Sequence, residues 1–182
     1  EARADLFALY YLGDEKLVEI GLIPTLDVAW AQYADYIMNG IMTQLSRIEP
    51  GKTVEEDHMR NRKLIAEWCY EKGKEENVIE WITENGKKYV VINDFERLRE
   101  LFGELLCEVQ RIKSEGDYEA GKALVEHTHD RPITAIQNIV APNATPANAF
   151  GLSAVKNKKK NGIKAITFQI KYHQNVRICQ VK

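Results

Sequence analysis

Two pairs of side chains, each four residues apart, are the places in this sequence where chemistry could be done. The opening run Glu1-Ala2-Arg3-Ala4-Asp5-Leu6-Phe7-Ala8-Leu9-Tyr10-Tyr11 has a helical pattern, so Glu1 and Asp5 project from one helix face. Such a pair suits a metal site in which one carboxylate binds the ion and the other fixes a ligating histidine through its ring N–H. Acids in a first helical turn are also favoured by the macrodipole in any protein, and spacing alone leaves both readings open. His58 and Arg62 form the second pair. On a helix they could jointly hold a carbonyl oxygen or a carboxylate, or form part of a solvated polar face.

The residues around these pairs are more specific than their spacing. Glu1-Ala2-Arg3-Ala4-Asp5 resembles the Glu-Glu-x-Arg-Ala-Glu/Asp motif of the dipeptidyl peptidase III family of zinc metallopeptidases. By that resemblance Glu1 is a zinc ligand, and Asp5 supports a zinc-bound histidine by hydrogen bonding. His58-Met59-Arg60-Asn61-Arg62 is similar to the family's His-Met-x-x-Arg segment over the active-site cleft. The resemblance implies that His58 is catalytic, holding substrate or transition state, and that Arg62 touches the peptide. Gly116-Asp117-Tyr118-Glu119-Ala120-Gly121-Lys122-Ala123-Leu124-Val125-Glu126 resembles a structural segment of bacterial members. The likeness is good from residue 1 to about residue 126 and faint beyond, and it implies oligopeptide substrates from which dipeptides are released at the N-terminus.

The family's other zinc helix, His-Glu-x-x-x-Gly-His, supplies two ligands and the general base, and this chain does not contain it. Its four histidines are His58, His127, His129 and His173, none in such a frame. An open catalytic zinc site needs three protein ligands plus water. The chain would bring one, so the expectation is an incomplete site, inactive alone, whose partner is the missing N-terminal part of the same enzyme. The helical opening, with neither initiator Met nor a capping residue before it, agrees with a truncated start. The alternative is a non-catalytic helical interaction module. Upstream coding sequence would separate the two.

Composition narrows the classes further. A chain of 182 residues, 45% apolar and with a formal charge of −2, suits one domain or one lobe of an enzyme, with no nucleic-acid and no membrane partner. The basic run Lys156-Asn157-Lys158-Lys159-Lys160 lacks interleaved aromatics, and no helix carries the clustered basic face of a helix-turn-helix DNA binder. Cys69, Cys107 and Cys179 are three and far apart, which predicts reduced thiols and a cytoplasmic setting.

The elements that must position these residues read as a mainly α (α+β) fold, the helical part of a metallopeptidase catalytic lobe with two small β-hairpins. Trp30, Tyr33, Ile37, Ile41, Leu45 and Ile48 predict one long amphipathic helix ended by Pro50-Gly51. Thr53 and Glu56 predict a capping box for the helix bearing His58 and Arg62, which stops at Gly73. Residues 77–92, with Asn85-Gly86 at the turn, predict a hairpin. Asn93 with Glu96 should cap a long helix lined by Phe95, Leu98, Phe102, Leu105, Val109 and Ile112 up to Gly116, and Asp117 should open a shorter one to about Val125. Residues 1–126 thus form the helical portion. Residues 127–182 form an irregular C-terminal segment around Pro132, Pro142 and Pro146, with one helix at 133–140 and a hairpin at about 152–172.

Overall fold

The computed structural model describes residues 1–45, 48, 54, 56–84, 87–129, 171–173 and 176–178. In chain order the elements are α1 (Ala2–Leu12), α2 (Glu15–Glu19), α3 (Asp27–Met38), a π-helical turn (Asn39–Thr43), α4 (Asp57–Lys72), β1 (Ile79–Glu84), β2 (Lys87–Ile92), α5 (Phe95–Glu115), α6 (Tyr118–His129), β3 (Lys171–His173) and β4 (Val176–Ile178). The mainly helical class with a small antiparallel sheet agrees with the sequence reading.

Helix α5 is the spine because its apolar residues keep helical period over its first half. Phe95, Leu98, Leu101, Phe102 and Leu105 are all buried, and α1 and α3 lie on that stripe. Trp30 stacks on Phe95 with centroids 5.3 Å apart, and Tyr33 meets Phe102 edge-on at 5.0 Å. Each such buried side chain contributes about 1.5–3 kcal/mol of transfer free energy. The Tyr33 hydroxyl donates to the Leu9 carbonyl at 2.6 Å, and burial holds its phenol well above the usual pKa, so it remains a donor. Arg99 of α5 fixes the far end of α1. Its Nε donates to the Tyr10 carbonyl and its Nη2 to Asp14, each at 2.9 Å, with the guanidinium 4.8 Å from the Tyr10 ring.

The long second helix expected from Trp30 to Ile48 is interrupted. α3 ends at Met38 and widens into the π-helical turn, where Gln44 N donates to Asn39 O. The apolar stripe continues through the turn, since Gly40, Ile41, Met42 and Thr43 are all buried, which is why period alone did not reveal it. Gly40 is where the turn touches α4. A Cβ there would lie 2.4 Å from the Ala66 Cβ and 2.6 Å from the Arg62 carbonyl oxygen. Only a residue without Cβ allows that approach.

Two caps also differ from expectation. α4 is capped by Glu56, whose side chain accepts from His58 N while its own backbone is extended, so Glu56 precedes the helix instead of sitting inside it as a capping-box acid. Thr53 lies outside the described residues. The α5 cap is Asp94, accepting from Arg97 N at 2.8 Å. Asn93 is turned instead onto the Asn77 carbonyl and Glu80. Gly116, at φ 66°, closes α5 as anticipated, and α6 runs on past Val125 to His129.

The first hairpin stands where the sequence placed it, in register from Ile79 opposite Ile92 to Glu84 opposite Lys87. Its turn residues, Asn85 and Gly86, lie outside the described residues. β4 adds to β2 through the pair Ile92 and Arg177, and β3 pairs with β4, giving the order β1-β2-β4-β3. This second hairpin, at Lys171–His173 and Val176–Ile178, was not anticipated. The helix expected at 133–140 and nearly all of the hairpin expected at 152–172 lie outside the described residues.

Gly40→Ala should lower stability by roughly 1–3 kcal/mol through overpacking against α4. The check is the urea midpoint at unchanged slope; an unaltered midpoint would show that α4 can move away freely.

Candidate functional site

Three helix segments meet where the sequence motifs lie. The start of α1 carries Glu1, its N-cap, and Asp5; the first two turns of α4 carry His58, Asn61 and Arg62; and the end of α3 carries Tyr36, with Gln44 just after the π-helical turn. The helical opening is real at the backbone, since the Glu1 carbonyl accepts from Ala4 N and Asp5 N at 2.8 and 3.0 Å. Glu1 and Asp5 therefore sit one turn apart on the side that faces α4.

Glu1 and His58 are brought together. The Glu1 Oε2 atom lies 3.2 Å from His58 Nδ1, with both side chains substantially exposed, 47% and 68%. His58 is the second residue of α4, next to backbone N–H groups not yet used by the helix, a position that favours negative charge. Asp5 is more enclosed. Its Oδ2 accepts from the Tyr36 hydroxyl at 2.9 Å and from Asn61 Nδ2 at 2.7 Å. Both bonds fall on one oxygen, and among the described residues Oδ1 accepts none. Burial, reinforced by the Asp5 charge, holds the Tyr36 phenol far above its usual pKa, so it donates throughout the physiological range.

Arg62 is engaged within the fold. Its guanidinium lies 5.7 Å from the Tyr36 ring centroid, and Nη1 reaches Gln44 Oε1 at 3.4 Å. Gln44 Nε2 in turn donates to the Met59 carbonyl at 2.8 Å, tying the π-helical turn to the start of α4. Tyr36, Gln44 and Asn61 were not singled out by the sequence. Tyr36 offered one signal, a hydroxyl in an apolar helix that would need a partner. Asn61 offered none, because a polar residue in a strongly charged helix reads as solvated, yet it is 8% exposed.

That helix is less solvated than its composition implies. Lys63 and Glu67 form an ion pair at 2.6 Å with side chains 5% and 6% exposed. A buried pair of this kind ties one face of α4 into the interior.

Glu1 carries a carboxylate of a kind that can ligate a cation, and Asp5 Oδ1 accepts no hydrogen bond among the described residues. Among the described residues no group of three or more His, Cys, Asp and Glu side chains could hold a metal ion. His127 and His129 lie in the last turn of α6, with side chains outside the described residues.

Glu1 and His58 thus form a largely exposed carboxylate–imidazole pair contributed by two helices. The sequence profile of peptidase family M49, the dipeptidyl peptidase III family, matches residues 1–176, and the chain belongs to that family. No curated protein sequence matches the chain significantly. Family membership makes it a peptidase by class. No helix among the described residues is long and apolar enough to cross a membrane.

The exposed Glu1–His58 contact should contribute under about 1 kcal/mol to folding, because water screens it. Asp5→Ala, which strands a buried hydroxyl and a buried amide, should cost about 1–3 kcal/mol. Denaturant melts of His58→Ala and Asp5→Ala check the contrast, and an equal loss in both would show that His58 is structural.

Proposed function

We propose that this chain carries part of the active site of a zinc-dependent dipeptidyl peptidase, with Glu1 as a metal ligand, Asp5 as the support of a ligating histidine and His58 as the group that holds the reacting carbonyl. The observation that carries this reading is the 3.2 Å approach of His58 to Glu1, two residues far apart in sequence that the family motifs had marked independently. Family membership over residues 1–176 supports it.

Zinc, when bound, would supply Lewis acidity and a water of lowered pKa. The chain's own residues do the rest of what can be assigned to it. Glu1 contributes negative charge at the start of α1, and Asp5 presents Oδ1 to a ring N–H. His58, at the N-terminal end of α4 and beside Glu1, can donate to an oxygen on which charge develops, and the helix end adds favourable field. Arg62 has five N–H donors, of which the structure commits Nη1 to Gln44, so others are available to a peptide carbonyl. Substrates of this reading are short oligopeptides with a free N-terminus.

The remaining zinc ligands and the general base would come from polypeptide outside these 182 residues, so the isolated chain should be inactive. A cytoplasmic setting is supported by Cys69 and Cys107, which are free thiols.

Isolated chain should bind zinc no better than a lone surface carboxylate; a stoichiometric sub-micromolar complex would contradict the ligand assignment. In the intact enzyme His58→Ala should lower turnover by roughly 10²–10³-fold, as for loss of one oxyanion donor, with zinc content unchanged. Glu1→Gln should release zinc. Metal loss in the His58 variant, with metal retained in the Glu1 variant, would reverse the two roles.

A further inference from the structure

Arg62, which is partly buried, is held more firmly than an arginine at a helix surface ordinarily is. A long, flexible side chain samples many rotamers, and that freedom is lost when it grips a ligand. Here two restraints on the guanidinium are already in place. One is the ring of Tyr36, whose centroid lies 5.7 Å away; that ring is itself pinned, because its hydroxyl donates to Asp5 at 2.9 Å. The other is Gln44 Oε1, 3.4 Å from Arg62 Nη1.

Gln44 lies outside both sequence motifs, yet its surroundings leave it one orientation. It is 4% exposed, and its Nε2 donates to the Met59 carbonyl at 2.8 Å and to the Gly40 carbonyl at 3.3 Å. Inverting the amide would set Oε1 against two carbonyl oxygens and turn N–H groups toward a guanidinium that has only donors. Oε1 is therefore held toward Arg62. At 3.4 Å the contact is long for a hydrogen bond, so it contributes direction more than strength. Among the described residues Nη1 is the one guanidinium nitrogen of Arg62 with a hydrogen bond, which leaves Nε and Nη2, the side of the fork suited to gripping oxygen.

We propose that Gln44 is a positioning residue for peptide binding: it holds the Arg62 guanidinium on the Tyr36 ring, so that Nε and Nη2 meet a backbone carbonyl oxygen of the substrate without first having to be ordered. This rests on the reading of Arg62 as a peptide contact. Ordering a binding group in advance helps ground state and transition state alike, so its loss raises KM and leaves kcat nearly unchanged.

The test is steady-state hydrolysis of tetra-alanine by the intact enzyme, assayed well below melting temperatures measured alongside. Gln44→Met removes the amide at similar length and should raise KM by roughly 3–10-fold, with kcat within about twofold of wild type. Arg62→Met should raise KM at least as much, and in the double variant the Gln44 substitution should add nothing further, because its effect passes through Arg62. Gln44→Glu keeps an acceptor for Arg62 and loses both donors, so its KM should lie closer to wild type than that of Gln44→Met even with a lower melting temperature. An Arg62→Met enzyme with unchanged KM defeats the underlying reading. If Arg62→Met raises KM while Gln44→Met stays within about twofold of wild type, the peptide contact stands and the positioning role is refuted. Refutation follows equally if Gln44→Met raises KM by the same factor with and without Arg62, or if Gln44→Glu is impaired as much as Gln44→Met, since Gln44 would then serve the fold alone. Should Gln44→Met not fold, Gln44→Glu is set against Arg62→Met: a KM near wild type supports the role, and one as high as that of Arg62→Met overturns it.

Discussion

A single carboxylate oxygen, Asp5 Oδ2, joins three helices. It accepts a hydrogen bond from the Tyr36 hydroxyl at the end of α3 and another from the Asn61 amide in α4, while Asp5 itself belongs to α1. Charge-assisted hydrogen bonds of this kind are stronger than neutral ones and more directional than apolar contact. Apolar packing brings α1, α3 and α4 near one another, but it would tolerate small rotations of α1. The Asp5 bonds select one rotation, and with it the side of α1 on which Glu1 meets His58. Arg99 holds the opposite end of α1 through Tyr10 and Asp14, so the helix is fixed at both ends.

The π-helical turn supplies the second constraint. A regular helix through Asn39–Thr43 would shift every later residue around the axis; the wider turn lets Tyr36 and Gln44 both face α4. Gly40 then lets the turn press against Arg62 and Ala66. Arg62 lies over Tyr36 and reaches Gln44, so the residue that the sequence motif assigns to peptide contact is also a strut of the site's support. A group with several donors can serve both ends, but substitution of Arg62 will mix the two effects.

What could be read from the sequence divides along a physical line. Local signals sufficed where one period or one terminal residue decides the structure, as in the α5 stripe, the paired strands Ile79–Glu84 and Lys87–Ile92 and the Gly116 stop. The pairs Glu1 with Asp5 and His58 with Arg62 were visible for the same reason, being one helical turn apart. The approach of Glu1 to His58 is tertiary, and only the family motifs hinted at it. Asn61 and the Lys63–Glu67 pair were opaque because burial of polar side chains depends on partners distant in sequence, which composition cannot supply. The caps at Glu56 and Asp94 were misplaced because neighbouring side chains are equally able to cap; for α5, bonds from Asn93 to Asn77 and Glu80 leave the cap to Asp94.

The central claim is the proposal that Glu1 ligates a zinc ion. An anomalous-scattering map at the zinc edge, from crystals of the intact enzyme, would locate it without reference to activity. The account predicts a peak within ligand distance of a Glu1 carboxylate oxygen. A peak remote from Glu1, or Glu1 turned into solvent in a zinc-loaded protein, would contradict it.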